Sequence, residues 1–428
     1  MRFTNTLAVF VATGWLATAA AFAGPKDELT QYRAAAKSGV MAYNKADYAA
    51  AQTAFAQALV HGPQRPALVY YLADIAARRG EPDKALAFFD RYATMGIVEG
   101  SDADFTALKA MPAYRAAQAR VARNAAALCP CRTFFSGTTG PFIAEGIARD
   151  AKSERIFVGG VAARRILAIA NGRARDFVKA FPESYSPFGM AVDGARKLLW
   201  VTAAVVPQST GAAQAQQGKS ALIAFDLSSG ALRGLYPAPD GAKHALGDIA
   251  LGRDGTIYVS DSIEGSVFRL RLPAHALERV GPAGLFASAQ GMVIGADGRQ
   301  ALVADYAMGL LRLDLDSGTL ETIAIPADVT TIGIDGLSRL ADGSFIATQN
   351  GFKVARIVHI RLTPDWSALT SLTVLAANAS DVADPSLVIA DGDGADVIGV
   401  SQWASFDDDK PAPVRALSAW KIVRLDTR

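Results

Sequence analysis

The sequence predicts a chain of two fold classes, an α-helical repeat segment followed by an all-β, six-bladed propeller. Two periods carry that prediction. The later one is a phrase whose clearest copy is LGDIALGRDGTIYVSD at 246–261, a short strand, an Asp-Gly turn and a returning strand. Copies beginning at Glu145, Phe188, Asp248, Gln290, Asp335 and Pro385 are separated by 43, 60, 42, 45 and 50 residues. A period of about 40 to 50 residues with several short strands in each unit is the signature of propeller blades. The earlier period is 34 residues, from Ala51 to Ala85 and from Phe55 to Phe89.

Before either repeat stands MRFTNTLAVFVATGWLATAAAFA, one Arg and an apolar run closing on Ala21-Phe22-Ala23. That is the pattern of a signal peptide at 1–23, cleaved after Ala23. An uncleaved anchor is the alternative. No later stretch reaches the ~20 apolar residues of a membrane span. The mature protein is therefore expected to be periplasmic or secreted, without a membrane after cleavage.

Residues 27–125 read as helix pairs. Gly39, Ala51, Ala58, Ala73 and Ala85 are small where two helices would touch, and Phe55 and Phe89 would fill the gap one turn later. Gly80-Glu81-Pro82 supplies a turn with Pro at a helix start, where its missing N–H costs little. Phe105 to Tyr114, with the amphipathic 115–123, reads as a capping helix. This pattern resembles the tetratricopeptide repeat, which implies a groove for a protein or peptide partner; a packing extension of the propeller is the other reading. A linker at 126–140 contains the only two cysteines, Cys129 and Cys131, in Leu-Cys-Pro-Cys-Arg. An exported chain could close them into a disulfide clip; two idle thiols are the alternative. The propeller is expected over 141–428. Its outer strands, such as 268–272 and 311–315, alternate apolar and polar as strands with one wet face do. The loop 206–218 lengthens the second blade and would overhang the openings of the inner strands, as a lid or as a tolerated insertion.

Forty-three basic residues against 41 acidic give a net charge of +2 with no long basic run, so nucleic acid is not an expected partner. Gly211 and Gly218-Lys219-Ser220 mimic a phosphate loop, but the glycines are too far apart and a strand follows. The four histidines are scattered, and no serine triad is visible. What remains is the ring of residues at which the innermost strands open: Glu145, Phe188, Asp248, Gln290, Asp335 and Pro385-Ser386. Carboxylates converging without a nearby Lys or Arg repel one another strongly. A divalent cation with oxygen ligands, Ca²⁺ first among them, would resolve this. Capping of backbone groups in the next blade, or a water-filled channel, are the alternatives. Asp261, Asp305, Gln349, Asn350 and Gln402 at the ends of second strands would rim the same face, with Tyr306 and Trp403 as walls for a small ligand. Asp254, Asp297 and Asp342, each before Gly, read as turn residues on the opposite face.

Over 140–425 this arrangement resembles the regucalcin/gluconolactonase-like family of six-bladed propellers, with paraoxonases and strictosidine-synthase-like proteins as more distant relatives. The resemblance implies that Glu145 of Glu145-Gly146 and Asp335 of Asp335-Gly336 are metal ligands. It implies that Asp335 is also the base, and that Gln290 stands at the family's Asn ligand. Asp248 falls at, or one residue from, the polar position of its blade. Gln in place of Asn lengthens one arm, and the family's sugar-acid Arg has no counterpart near Leu246-Gly247. The implied activity is metal-dependent hydrolysis of lactones or related esters. The rival is a non-enzymatic binding module in which the repeats grip a partner and the propeller is a platform.

Overall fold

The computed structural model describes residues 24–98, 102–407 and 409–427; the expected signal segment 1–23 lies outside the described residues. The first part is helical: α1 (Pro25–Asn44), α2 (Tyr48–His61), α3 (Pro66–Arg78), α4 (Pro82–Thr94) and α5 (Pro112–Ala125). Four of the five begin with Pro, whose fixed φ suits the first turn and whose absent N–H would have had no partner there. α2 begins instead behind Asp47, whose carboxylate accepts the Ala50 N–H at 3.0 Å. Gly80, at φ +72°, turns the chain out of α3.

The 34-residue period has a direct packing meaning. Gly39 lets α1 lie against α2 so closely that a Cβ there would meet the Phe55 ring at 2.5 Å. Phe55 stacks on Tyr71 at 5.0 Å, and its counterpart Phe89 packs on Phe105 at 4.8 Å. Phe105 and Tyr114, both fully buried, close the second core from the capping side. Phe352 of the propeller packs on that core too. The end that a short helical stack would leave open is thus covered by the propeller.

The second part is six four-stranded antiparallel sheets. Their innermost strands are Ala144–Asp150, Ser186–Asp193, Leu246–Leu251, Ala289–Ile294, Ile334–Arg339 and Val388–Asp391. Blades one to five are meanders, each strand pairing with the next in sequence. The sixth is shared by both ends of the chain: Cys131–Ser136 pairs with Lys421–Asp426, which pairs with Gly394–Val400. The stretch expected as a linker therefore supplies the outermost strand of a blade and ties the two ends of the fold together. Cys129 and Cys131 are joined as a disulfide at this point, beside Leu128, which bridges to Ala377 of blade five. Among the described residues no helix is long and apolar enough to cross a membrane.

One local feature recurs in blades one to five. The pairing of the innermost strand slips at its start, between Ala144 and Ile147, Pro187 and Met190, Leu246 and Ile249, Ala289 and Met292, and Ile334 and Leu337. Such a bulge re-aims side chains. In four of these blades a glycine follows the residue that faces the channel, and space demands it. A Cβ on Gly146 would lie 1.8 Å from the Phe188 carbonyl oxygen, and one on Gly189 2.4 Å from that of Gly247. Gly291 and Gly336 are confined in the same way, at 2.5 Å and 2.9 Å from neighbouring backbone. Blade three inverts the order, with Gly247 in the channel-facing register and Asp248 where the others carry glycine.

Candidate functional site

The bulges bring Glu145, Phe188, Asp248, Gln290, Asp335 and Leu387 around one cavity of about 90 Å³ on the channel axis, with no Lys or Arg in its lining. Asp248 reaches it from one residue further along its strand than its counterparts, so its carboxylate sits lower, at the waist of the channel. The three acids face the cavity, half-buried and ringed by protein on the channel walls. Burial first, then the Asp335 charge, pushes Glu145 well above the usual carboxylate range. Burial and Asp335 push Asp248 up to about 8. Burial raises Asp335 to about 6, with Asp384 adding to the rise and Asn350 opposing it. Three carboxylates crowded around one enclosed cavity resist being ionised together, and a cation would relieve that repulsion.

Three of the expected rim and wall residues hold this set in place. Trp403 Nε1 donates to Glu145 Oε2 at 2.5 Å. Asn350 Nδ2 donates to Asp335 Oδ2 at 2.7 Å and to the Pro385 carbonyl at 3.0 Å. Tyr306 donates its hydroxyl to Asn350 Oδ1 at 3.0 Å, which fixes the amide's orientation, and burial followed by the Asp335 charge lifts its phenol to about 12. Asp384, absent from the sequence-based set, presents its carboxylate to Ser401 Oγ at 2.6 Å and the Ala404 N–H at 3.2 Å. Its only sequence signal is its place just before Pro385-Ser386 in the weakest copy of the phrase.

Four expected substrate residues lie elsewhere, and the reason is the same for each. Asp261, Asp305, Gln349 and Gln402 are buried and spent on their own loops. Asp305 accepts N–H bonds from Ala287, Ser288, Ala307 and Met308 between 2.7 and 2.8 Å. Asp261 does the same for Ala245, Ile263 and Glu264. Gln349 donates to the carbonyls of Thr330 and Ile332, and Gln402 accepts from Phe142 and Ile143. A short polar side chain at a strand end is well placed to satisfy loop amides. Asp254, Asp297 and Asp342 do so in the opposite turns, each accepting the N–H two residues on.

His244, Asp261 and Glu264 form a separate cluster whose ligand atoms lie within 4.8 Å of one another, so it could coordinate a divalent metal. Its present partners compete with that role. His244 Nδ1 lies 2.5 Å from Asp261 Oδ2, and its Nε2 lies 3.0 Å from the Pro239 carbonyl. Burial opposes charge on His244, but the bonds to Asp261 and Asp240 outweigh it and raise its pKa. The Arg279 guanidinium already pairs with Glu264 and Asp240, and an incoming cation would have to displace it.

Two walls rise around the acid-lined mouth. On one side the 206–218 loop meets the segment before the last strand: Val206, Phe188 and Trp403 pack on one apolar cluster with Phe406, and Gln208 Nε2 donates to the Asp407 carbonyl at 2.6 Å. On the other side stand the helical repeats. Gln64 Oε1 accepts from the Thr331 N–H and hydroxyl at 3.0 and 2.8 Å, Arg65 donates to the Ala307 carbonyl, and Arg91 Nε donates to that of Ala327 at 2.9 Å. Buried Arg356 reaches back to the carbonyls of Met95 and Gly96 at 3.0 and 3.1 Å. Ala307 follows Tyr306 and Thr331 precedes the Asp335 strand, so the repeats dock on the face that carries the acids.

The fold is a six-bladed propeller with a tetratricopeptide-like helical region before it. Residues 39–101 match the tetratricopeptide repeat family model. No curated protein matches the chain. Solved structures of similar fold include the calcium-binding protein regucalcin from Agrobacterium tumefaciens, 16% identical with a TM-score of 0.48, over 71% of this chain and 97% of that one. A gluconolactonase from Xanthomonas campestris is 14% identical with a TM-score of 0.46, over 71% and 92%. The pyrroloquinoline-quinone-bound aldose sugar dehydrogenase of Streptomyces coelicolor is 13% identical with a TM-score of 0.48, over 69% and 97%.

Proposed function

We propose that the chain is an exported, metal-dependent hydrolase of lactones or related esters. One observation carries the reading: three carboxylates and one amide share a small cavity whose lining contains no basic side chain. All their donors are hard oxygens, the set that suits Ca²⁺. Glu145, Asp248, Gln290 and Asp335 would hold the ion. When bound there, a divalent cation supplies Lewis-acid polarisation of a carbonyl oxygen. The chain's own contribution is positional. Asn350 and Trp403 each engage one carboxylate oxygen, of Asp335 and of Glu145, and so fix the two groups. Asp335 Oδ1, the oxygen that Asn350 leaves free, accepts the proton of an attacking water. Phe188, Val206 and Trp403 give the substrate an apolar wall above the acids.

The test is a calcium titration of chelator-stripped protein followed by melting temperature, with Asp335→Asn alongside, then a screen of lactones and esters by acid release. A rise with calcium that the variant lacks, together with hydrolysis that the variant loses, is the expected result. No rise with calcium, magnesium, manganese or zinc overturns the reading. A second reading, a binding module for a protein or peptide, is favoured by Val40 and Met41, which stay exposed on α1 although one edge of the repeats is anchored. In that case Asp335→Asn leaves partner binding unchanged.

A further inference from the structure

The channel has a second chamber. It opens on the face of the Asp254-Gly255, Asp297-Gly298 and Asp342-Gly343 turns and has a volume of about 470 Å³. Its walls carry the apolar side chains of Ile147, Met190, Ile249, Met292, Leu337 and Leu387. Ser338 also lines it, but its Oγ already accepts the Ala390 N–H at 2.9 Å. Three arginines complete the lining. Arg149 is spent on Asp396 and on Glu154 at 3.0 Å. Arg253 has no hydrogen bond or ion pair to any described residue, and Arg339 has only the face of Trp366, 5.7 Å from its guanidinium carbon. The one carboxylate in the lining is Asp248, at the waist shared with the acid cavity and about 15 Å along the strand from Arg253.

We propose that this chamber binds an amphipathic organic anion, a carboxylate or sulfonate on an aliphatic or aromatic body. The anionic head bonds Arg253 and Arg339 at the rim, where a guanidinium offers a forked pair of donors. The body fills the throat, whose volume lies in the range of small-ligand sites, roughly 300–1,000 Å³. A cationic ligand meets two guanidinium groups that have no ion-pair partner among the described residues. The site shares only Asp248 and Leu387, at their common waist, with the acid-lined cavity above it.

The test is fluorescence titration of the purified full chain with 8-anilinonaphthalene-1-sulfonate, displaced by decanoate or by decyltrimethylammonium. The expected result is saturable one-site binding that decanoate displaces and decyltrimethylammonium does not. Arg253→Glu with Arg339→Glu weakens it at least tenfold, and Asp335→Asn leaves it unchanged. Both arginines are exposed, so the double variant keeps its melting temperature. Non-saturable binding, equal displacement by the cationic detergent, or insensitivity to the double variant overturns the proposal. Loss of the calcium response in the unsubstituted protein bears on the hydrolase reading alone.

Discussion

Replacing Asp335 by Asn should make the cation-free protein more stable and the calcium response vanish. The side chain keeps its shape, and its remaining carbonyl oxygen can still accept the Asn350 N–H, so the change removes charge and little else. Burial raises Asp335 from its ordinary 3.8 to about 6, which corresponds to about 3 kcal/mol. The sign follows from proton linkage. The folded state holds this proton more tightly than the unfolded state does, so stability is full below about pH 4 and lost as pH rises through about 6. The variant's advantage is therefore near zero at pH 4 and about 3 kcal/mol at pH 8. For a propeller of this length that shifts the melting temperature by on the order of 5 °C. Calcium at 100 times its dissociation constant should return about 2.7 kcal/mol to the unsubstituted protein and nothing to the variant. Differential scanning calorimetry at pH 4 and pH 8, with chelator and with calcium, reads all four quantities. A variant no more stable than its parent at pH 8 without cation would refute the claim that the carboxylates crowd one enclosed cavity. A retained calcium shift would remove Asp335 from the ligand set.

Four other substitutions probe the scaffold. Trp403→Phe takes the donor from Glu145 and should weaken calcium binding with a stability change of about 1–3 kcal/mol, measured by calorimetric titration. Gly146→Ala drives a Cβ into the Phe188 carbonyl and should cost more than about 4 kcal/mol, whereas Gly194→Ala, with open space around it, should be nearly neutral; soluble yield and near-ultraviolet dichroism separate them. Arg356→Met strands the carbonyls of Met95 and Gly96 and the amide oxygen of Gln349, at about 2–4 kcal/mol, and should speed hydrogen exchange at 95–98 and 349–352 with little change in the other blades.

The blades were legible in the sequence because each obeys the same local rules, an opening residue, an Asp-Gly turn and alternating strands. So were the helix pairs, whose period follows from the contact between Gly39 and Phe55. The candidate site was legible only where a side chain has no local partner. Asp335 and Asp305 both stand at strand ends, and only the fold tells that four loop amides already occupy the second. Asp248 was ambiguous by one residue because a bulge shifts register without leaving a trace in composition. The 131–136 strand was hidden for a different reason: its pairing partner lies nearly three hundred residues away, and no local pattern encodes that distance.

That distant pairing gives the molecule an order of assembly. A strand made early, just after the helical repeats, must wait for Lys421–Asp426 before it gains the neighbour beside which it completes the sixth blade. The helical repeats can pack their own core meanwhile, but the circle of inner strands has no fixed diameter until its two ends meet. The acids of blades one, three and five are brought to a common centre by that last closure. A chain missing its final strand would keep most of its residues and most of its blades, yet it would lack the enclosure that makes three carboxylates into one site.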